Sequence, residues 1–293
     1  MKVGIFGQSN NQITMKYVQE LVKLCKEYSV SMVFEESFLA GFNGLLKELK
    51  PETFSDYEDL DRGIDFFFSV GGDGTFLRSI TFIRDLNIPV IGINTGRLGF
   101  LANIPKESMG KAFEQIMNGE FKVQERSLLT VETEERNDEI GNLNFALNEI
   151  TITRKNTASM IRVDTNLDDE FLTSYWSDGL IISTPTGSTG YSLSCGGPII
   201  SPTSKNIVLT PIAPHSLAVR PLVIPDLTRI ELHIDSRADE VLLTLDSRMY
   251  TLDNKSRIAI CKSPFCIKTL QLTDQTFIKT LREKLLWGED KRN

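Results

Sequence analysis

The period of the apolar residues changes near residue 122, and this change constrains the fold more than any other feature of the chain. Before it, short apolar runs alternate with segments whose apolar residues lie three and four positions apart, a pattern typical of strands alternating with helices. After it, apolar and polar residues alternate singly, most clearly over 229–235. We therefore expect two regions of different structural class.

The first region, residues 1–121, predicts an α/β domain. Apolar runs at 2–6, 65–70 and 89–93 are typical of buried strands, and 14–26 has the spacing of one helix face. Strands separated by helices pair in parallel through right-handed crossovers. Ligands bind such sheets beyond the carboxyl ends of the strands, so the loops that follow these strands are candidate sites.

The second region, residues 122–273, predicts an all-β, sandwich-like domain, because many short segments alternate with a period of two. Residues 274–293 return to a helical pattern, with Ile278, Leu281 and Leu285 on one face. We expect this final helix to pack back on the first domain.

Composition excludes several classes of protein. The chain has 32 Lys and Arg against 39 Asp and Glu, a net charge of −7, which disfavours nucleic-acid and membrane-surface partners. No apolar run reaches the ~18 residues of a membrane helix, and the N-terminus lacks the pattern of a signal peptide. Four cysteines and two histidines form no disulfide or zinc pattern. We expect a cytoplasmic protein with no metal ligands of its own.

The first candidate site is the glycine loop Gly71–Thr75, which lies between an expected strand and a helix expected to begin near Thr75. Glycines let backbone N–H groups approach a phosphate. Asp73 in such a loop fits a base that accepts a hydroxyl proton, or a partner of a magnesium shell. The alternative is that Asp73 only caps the helix. The loop matches neither a dinucleotide fingerprint nor a Walker A motif, which disfavours dehydrogenases and P-loop kinases.

Two further short motifs are compatible with nucleotide binding. Residues 94–101 follow the strand at 89–93, so their loop opens at the same sheet edge, and Arg97 fits either a phosphate ligand or a surface residue. Asn148 and Glu149 place an amide beside a carboxylate, which suits vicinal ribose hydroxyls. By itself this dipeptide more often marks an exposed turn before a strand.

The segment 178–198 is the most distinctive motif in the chain. Six hydroxyl residues crowd the positions from 184 to 194: Thr184, Thr186, Ser188, Thr189, Ser192 and Ser194. Such a loop can hydrogen-bond an adenine edge and phosphates while Tyr191 stacks on a ring. A flexible Ser/Gly linker is disfavoured, because the segment follows an apolar strand and contains no repeat.

Taken together, these motifs resemble the NAD kinase family. The resemblance rests on blocks that occur in family order, at 71–75, 94–100, 148–149, 178–198, 210–221 and 281–288. It implies phosphorylation of the adenosine ribose 2′-hydroxyl of NAD by ATP, with Mg²⁺ or another divalent metal ion, to give NADP. It also implies an α/β domain followed by a β-rich domain that binds NAD, with the final helix returning to the first domain.

The resemblance also implies roles for individual residues. Asp73 corresponds to the proton acceptor, Asn148 and Glu149 to the ribose ligands, and Asp178 to a contact on the nicotinamide side. The segment 189–194 corresponds to the adenine site, with Tyr191 stacking. The complete set of expected substrate-binding residues is Gly74, Arg78, Asn148, Glu149, Asp178, Thr189, Gly190, Tyr191, Ser192, Leu193, Ser194, Ala213 and Arg248. No residue is expected to be a metal ligand, since the phosphates of the donor hold the ion.

The chain departs from the family pattern at two of these positions. Gly190 stands where alanine is common, and Arg248, in Asp246-Ser247-Arg248, stands where glutamine is common. We expect Arg248 to contact the ligand through a phosphate.

Family members are usually homo-oligomers whose subunits complete each other's dinucleotide sites, so we expect a homo-oligomer, a tetramer or otherwise a dimer. Two rival functions are a lipid kinase of the same superfamily, which should lack the 148–149 and 189–194 motifs, and a non-catalytic NAD sensor, which Asp73 disfavours. The sequence leaves open the range of phosphoryl donors, the choice between NAD and NADH, and feedback by the product.

Overall fold

The computed structural model describes residues 1–7, 12–42, 49–60, 63–134, 138–156 and 158–286. Contacts divide the chain into two compact units, which we describe separately: unit 1 is Met1–Glu125 with Ile267–Asn293, and unit 2 is Arg126–Cys266.

In chain order, the helices and strands are β1 (Lys2–Gly7), α1 (Gln12–Glu27), β2 (Ser31–Glu35), α2 (Glu36–Ala40), β3 (Glu52–Phe54), β4 (Phe66–Gly71), α3 (Asp73–Ile83), β5 (Val90–Asn94), β6 (Ile104–Pro105), α4 (Met109–Met117), β7 (Phe121–Thr133), β8 (Phe145–Ala146), β9 (Glu149–Arg154), β10 (Ile161–Leu167), β11 (Glu170–Ser177), β12 (Gly179–Ser183), α5 (Tyr191–Ser194), β13 (Asn206–Ile212), β14 (Leu222–Pro225), β15 (Ile230–Asp235), β16 (Glu240–Leu245), β17 (Arg248–Asp253), β18 (Arg257–Leu272) and α6 (Phe277–Leu285). Short 3-10 turns lie at Lys106–Ser108 and Gly187–Thr189.

Unit 1 is built on a parallel sheet, as the alternation of strands and helices predicts. Its strand order is β18, β5, β4, β1, β2, β3, and the last part of β18 runs parallel to β5. Buried side chains of β1 and β4 pack with those of α1 and α4 in one core. Gly71 at the end of β4 lies opposite Asn94 at the end of β5. The two glycine loops therefore begin side by side at one edge of the sheet.

Unit 2 is a sandwich of two sheets. The first sheet has the order β14, β13, β12, β9, β16, β17 with antiparallel pairing throughout, and the second contains β11, β10, β15 and the first part of β18. Both sheets contribute to one core, for example through Ile152 and Ile182 from the first and Val163 and Leu232 from the second. This confirms the sandwich-like class expected from the period of two.

The final helix, α6, belongs to unit 1. The Thr276 side chain caps its first turn by accepting a hydrogen bond from the N–H of Lys279. The Phe277 ring lies 6.3 Å from the Phe100 ring, and the Lys111 ammonium lies 2.9 Å from the Asp274 carboxylate. The helix thus packs on the α/β unit, as expected.

The unit boundaries lie inside long strands. Contacts change unit at 125/126 and 266/267, whereas the change in period predicts boundaries at 121/122 and 273/274. The reason is that β7 and β18 each run through a boundary and contribute to both units. Within a continuous strand, the pattern of apolar residues does not change where the neighbouring strands change. The sequence therefore does not show the boundary.

Candidate functional site

In unit 1, the predicted glycine loop joins β4 directly to α3. The helix begins at Asp73, two residues before the expected start near Thr75, because Gly72 is the N-cap residue. Asp73 therefore lies in the first turn and is not the cap. Its side chain turns towards the second loop, which leaves its carboxylate available for another role.

The carboxylate of Asp73 is held by three consecutive backbone N–H groups. Oδ2 accepts from Phe100 at 2.9 Å, and Oδ1 accepts from Leu101 at 3.0 Å and Ala102 at 2.9 Å. Hydrogen bonds to an ionised acceptor are short and directional, so they fix the orientation of the group. The side chain remains 31% exposed, which leaves access for a substrate.

Gly99 makes this arrangement possible, since a Cβ at this position would overlap the Asp73 carboxylate. The two glycine loops therefore form one structure, in which the backbone of the second orients the acid of the first. The sequence predicts both loops, but the hydrogen bonds between them depend on the three-dimensional fold.

A cation from the final helix completes this part of the site. The Lys284 ammonium lies 3.9 Å from Asp73 Oδ2 and 5.1 Å from the Phe100 ring centroid. Gly74 and Arg78 lie on α3, one and five residues after Asp73, and the Arg78 guanidinium lies 5.6 Å from the Phe6 ring centroid. Arg97, which the sequence fits either as a phosphate ligand or as a surface residue, is exposed.

In unit 2, Asn148 and Glu149 lie where the chain enters β9, and a buried aspartate holds this segment. Asp246 accepts hydrogen bonds from the N–H groups of Leu147 at 2.9 Å, Asn148 at 2.7 Å and Glu149 at 3.2 Å. The Asp246 N–H donates in return to the Glu149 carbonyl at 3.0 Å. Sequence analysis noted Asp246 only as a neighbour of Arg248 and missed this contact.

Of the predicted binding residues, Glu149 has the largest shift in pKa. Burial, together with the nearby charge of Asp246, raises the pKa of Glu149 to about 8, against the opposing effect of a hydrogen bond from the Tyr191 N–H. Near neutral pH the group is therefore largely a neutral acid, which both donates and accepts. Its Oε2 is buried and has no hydrogen-bond partner among the described residues, so this oxygen is available to a ligand.

The hydroxyl-rich segment divides into inward and outward parts. Thr184 donates to the Leu147 carbonyl at 2.6 Å, Ser188 to the Pro185 carbonyl at 2.7 Å, and the Ser192 and Thr210 hydroxyls lie 2.8 Å apart. These buried hydroxyls shape the loop. Four of the six hydroxyls, those of Thr184, Ser188, Thr189 and Ser192, thus bond to backbone carbonyls or to the Thr210 hydroxyl. Binding of a ligand by this segment stays a prediction.

The outward part faces the 148–149 pair. A Cβ on Gly190 would lie 3.0 Å from Glu149 Oε2 and 3.6 Å from Asn148 Nδ2. Tyr191 is 44% exposed, so its ring is free to stack. Among the described residues, the buried Oγ1 of Thr186 has no hydrogen-bond partner. The remaining expected residues of this segment, Thr189, Leu193 and Ser194, are partly or fully exposed.

Of the other expected ligands of unit 2, Asp178 and Arg248 have partners within the protein. Asp178 forms an ion pair with Arg154 at 2.9 Å, and Ala213 is exposed in a left-handed backbone conformation. Arg248 donates to the carbonyls of Leu143 and Phe145 and stacks 5.1 Å from the Phe145 ring. Its guanidinium thus supports the chain that leads to Asn148, while its contact with a ligand phosphate stays a prediction.

The predicted site residues therefore form two groups, with Asp73, Gly74 and Arg78 in unit 1 and the others in unit 2. Within the described ranges, no three His, Cys, Asp or Glu side chains come together as a metal site. None of the described helices has the length and apolar character needed to cross a bilayer.

Both regions match models of one protein family. Residues 3–121 match the ATP-NAD kinase N-terminal domain, and residues 147–272 match the ATP-NAD kinase C-terminal domain. The chain is 51% identical over 296 residues to the NAD kinase of Christiangramia forsetii and 41% identical over 287 residues to that of Porphyromonas gingivalis, covering 100% and 98% of both chains respectively.

Two solved structures share the fold. Yeast NADH kinase in complex with NADH superposes with a TM-score of 0.86 at 27% identity, over 99% of this chain and 89% of the yeast chain. An NAD kinase from Archaeoglobus fulgidus in complex with ATP superposes with a TM-score of 0.77 at 25% identity, over 98% and 99% of the two chains. With the two family matches and the full-length relatives, these similarities show that the chain belongs to the NAD kinase family and phosphorylates NAD.

Proposed function

We propose that the protein transfers the γ-phosphoryl group of ATP to the 2′-hydroxyl of the adenosine ribose of NAD, which gives NADP and ADP. The 2′-oxygen forms a bond to the γ-phosphorus, the bond between that phosphorus and the β,γ-bridging oxygen breaks, and Asp73 accepts the hydroxyl proton. The observation that carries this proposal is the Asp73 carboxylate, which three N–H groups orient while it stays 31% exposed. A positioned, accessible carboxylate is suited to general-base catalysis.

Residues of unit 2 recognise the adenosine part of NAD in this proposal. The neutral carboxyl of Glu149 and the amide of Asn148 can donate to and accept from ribose hydroxyls. The exposed Tyr191 ring stacks on adenine. The outward atoms of 189–194 line the base, and Asp178 lies towards the nicotinamide end. Gly74, Arg78 and Ala213 are further proposed contacts with the substrate.

The reaction as proposed uses a divalent metal ion together with ATP. Magnesium is usually held by one or two carboxylates together with substrate phosphates. Among the described residues, no cluster of three ligands exists, but Asp73 is an accessible carboxylate in a glycine loop. The phosphates of ATP would hold the ion, which would neutralise charge on the transferred group.

We also propose that the protein is a cytoplasmic homo-oligomer, a tetramer or otherwise a dimer, whose subunits complete each other's NAD sites. Several large apolar side chains of unit 2 are exposed, including Phe171, Trp176, Leu217, Leu227 and Met249. Large exposed apolar side chains are candidates for burial in a subunit interface. Sedimentation of a fully active 33.0 kDa particle would contradict the assembly and leave the kinase reaction intact.

The reaction is tested by incubating the protein with NAD, ATP and magnesium and identifying the product by mass. We expect a product that supports a dehydrogenase specific for NADP, which locates the new phosphate on the 2′-oxygen. An NAD analogue with a 2′-deoxyadenosine should not react. Binding of NAD without any product would instead favour a non-catalytic sensor. Repeating the assay with NADH and with polyphosphate defines the substrate range.

A further inference from the structure

Asp246 is a buried carboxylate that none of the predicted roles uses. It lies in the two-residue turn between β16 and β17, where Leu245 pairs with Arg248. Only 2% of its side chain is exposed. Its φ of 53° lies in the left-handed region, which Asp and Asn tolerate better than other non-glycine residues.

The hydrogen bonds of Asp246 converge on the predicted ribose ligands. Its two oxygens accept from the N–H groups of Leu147, Asn148 and Glu149, and its own N–H donates to the Glu149 carbonyl. The segment 147–149 thus donates hydrogen bonds to the turn, and the turn donates one to the segment. Arg248, at the other end of the turn, holds the carbonyls of Leu143 and Phe145 just upstream.

We propose that Asp246 is a positioning residue for substrate recognition, which holds Asn148 and Glu149 in the conformation that binds the ribose of NAD. It is buried behind the pair and does not touch NAD. The inference rests on the proposed function of the pair and adds a residue to which neither the motifs nor the fold assigned a role in binding.

A role limited to folding explains this arrangement less well. Burying a carboxylate carries a large desolvation cost, which a neutral turn residue would avoid. The charge of Asp246 has a further effect, since it helps to raise the pKa of Glu149. The other groups at this position are Arg248, 4.0 Å from Asp246 Oδ2 on the hairpin, and Tyr191 on α5, whose N–H donates to the Glu149 carboxylate. Asp246 therefore fixes the geometry of the pair and adds, after burial, to the raised pKa of Glu149.

The test is Asp246→Asn in the full-length protein. Asparagine keeps the size and the left-handed backbone but removes the charge and sets an NH₂ group against a backbone donor. We expect the Kd for NAD, measured by calorimetry, to rise about tenfold or more, as for loss of a charge-assisted hydrogen bond. The KM for ATP should stay within about twofold of wild type, since the phosphoryl donor does not depend on the ribose pair.

A second readout separates positioning from simple destabilisation. The titration midpoint of the Glu149 carboxyl, followed by ¹³C NMR and assigned by its loss in Glu149→Gln, should lie at lower pH in Asp246→Asn. The matched control is Asp253→Asn, on the exposed surface of β17 in the same hairpin, which should change neither value. A folded Asp246→Asn protein with normal NAD affinity, or with an unchanged Glu149 midpoint, would overturn the proposal.

The proposal stays testable if Asp246→Asn does not fold. Hydrogen exchange of the wild-type protein should then show slow exchange at the amides of Leu147, Asn148 and Glu149. Exchange as fast as at the exposed residues Ser216 and Leu217 would overturn it. Failure of the reaction is distinguishable: NAD binding without NADP contradicts the proposed reaction only, whereas NADP formation with normal NAD affinity in Asp246→Asn contradicts the positioning role only.

Discussion

Two aspartates, one in each unit, are bound in the same way but differ in exposure. Asp73 accepts hydrogen bonds from the N–H groups of residues 100–102, and Asp246 accepts them from residues 147–149. Asp73 is 31% exposed and Asp246 only 2%. Three backbone donors can thus orient a carboxylate for contact with a substrate or bury it as a support. The hydrogen bonds are alike, so solvent access distinguishes the two proposed roles.

The largest effect should come from removing the charge of the accessible aspartate. We expect Asp73→Asn to lower kcat on the order of 100-fold or more, because the variant lacks a proton acceptor, while NAD affinity changes much less. Steady-state kinetics and calorimetry with NAD measure the two quantities. Near-normal turnover in the variant would contradict the assignment of Asp73 as the base.

A steric change should misplace the same carboxylate without altering it. Gly99→Ala introduces a methyl group that overlaps the Asp73 carboxylate, so the acid must move. Overpacking typically costs about 1–3 kcal/mol, and we expect kcat to fall roughly tenfold. Gly110→Ala on α4 is the control, since a Cβ there meets nothing within 4 Å. Equal activity of the two variants would show that the position of Asp73 does not matter.

The raised pKa of Glu149 predicts a dependence of stability on pH. Because the pKa of Glu149 is raised from 4.5 to about 8, the folded chain binds more protons than the unfolded chain between these values, and stability falls as pH rises through this window. Glu149→Gln removes the titrating carboxyl and therefore this fall in stability with rising pH. Between pH 5 and 9 we expect the Tm of the variant to gain about 2–6 °C on wild type. A difference in Tm that does not vary with pH would contradict the raised pKa.

The smallest effect concerns the cation beside Asp73. Lys284 is partly exposed and lies 3.9 Å from the carboxylate, so its contribution resembles that of a surface ion pair, about 0.2–1 kcal/mol. We expect Lys284→Met to lower kcat about two- to fivefold at low ionic strength and less at high salt. Lys279→Met, on the same helix, serves as the control. An effect that is equal at both salt concentrations would exclude an electrostatic role.

The sequence predicts much of unit 1 because its signals are local. A glycine loop between an apolar run and a helical pattern locates Gly71–Thr75 directly, and the buried strands lie within about one residue of their expected positions. The start of α3 is displaced because Gly72 takes the cap position that sequence reasoning gave to a later residue. Local pattern, however, contains no information on the contact between Asp73 and residues 100–102.

In unit 2, more of the candidate site depends on contacts between residues distant in sequence, which a local pattern does not predict. Asp246 is 99 positions from Leu147 in sequence, and only the pairing of β9 with β16 brings them together. Likewise, a run of hydroxyl residues indicates a polar loop but does not distinguish Ser192, which faces Thr210, from residues that face outward. Burial decides that distinction, and burial depends on strands remote in sequence.

The strand β18 makes the completion of unit 1 depend on the prior synthesis of unit 2. Thr269 pairs with Val90, so the sheet of the α/β unit gains this strand only after residues 126–266 have been synthesised. A nascent fragment that stops before this point exposes the edge of β5, and open strand edges are sites of aggregation. Unit 2, by contrast, is one continuous stretch of chain and can form before the last strand of unit 1 has been synthesised.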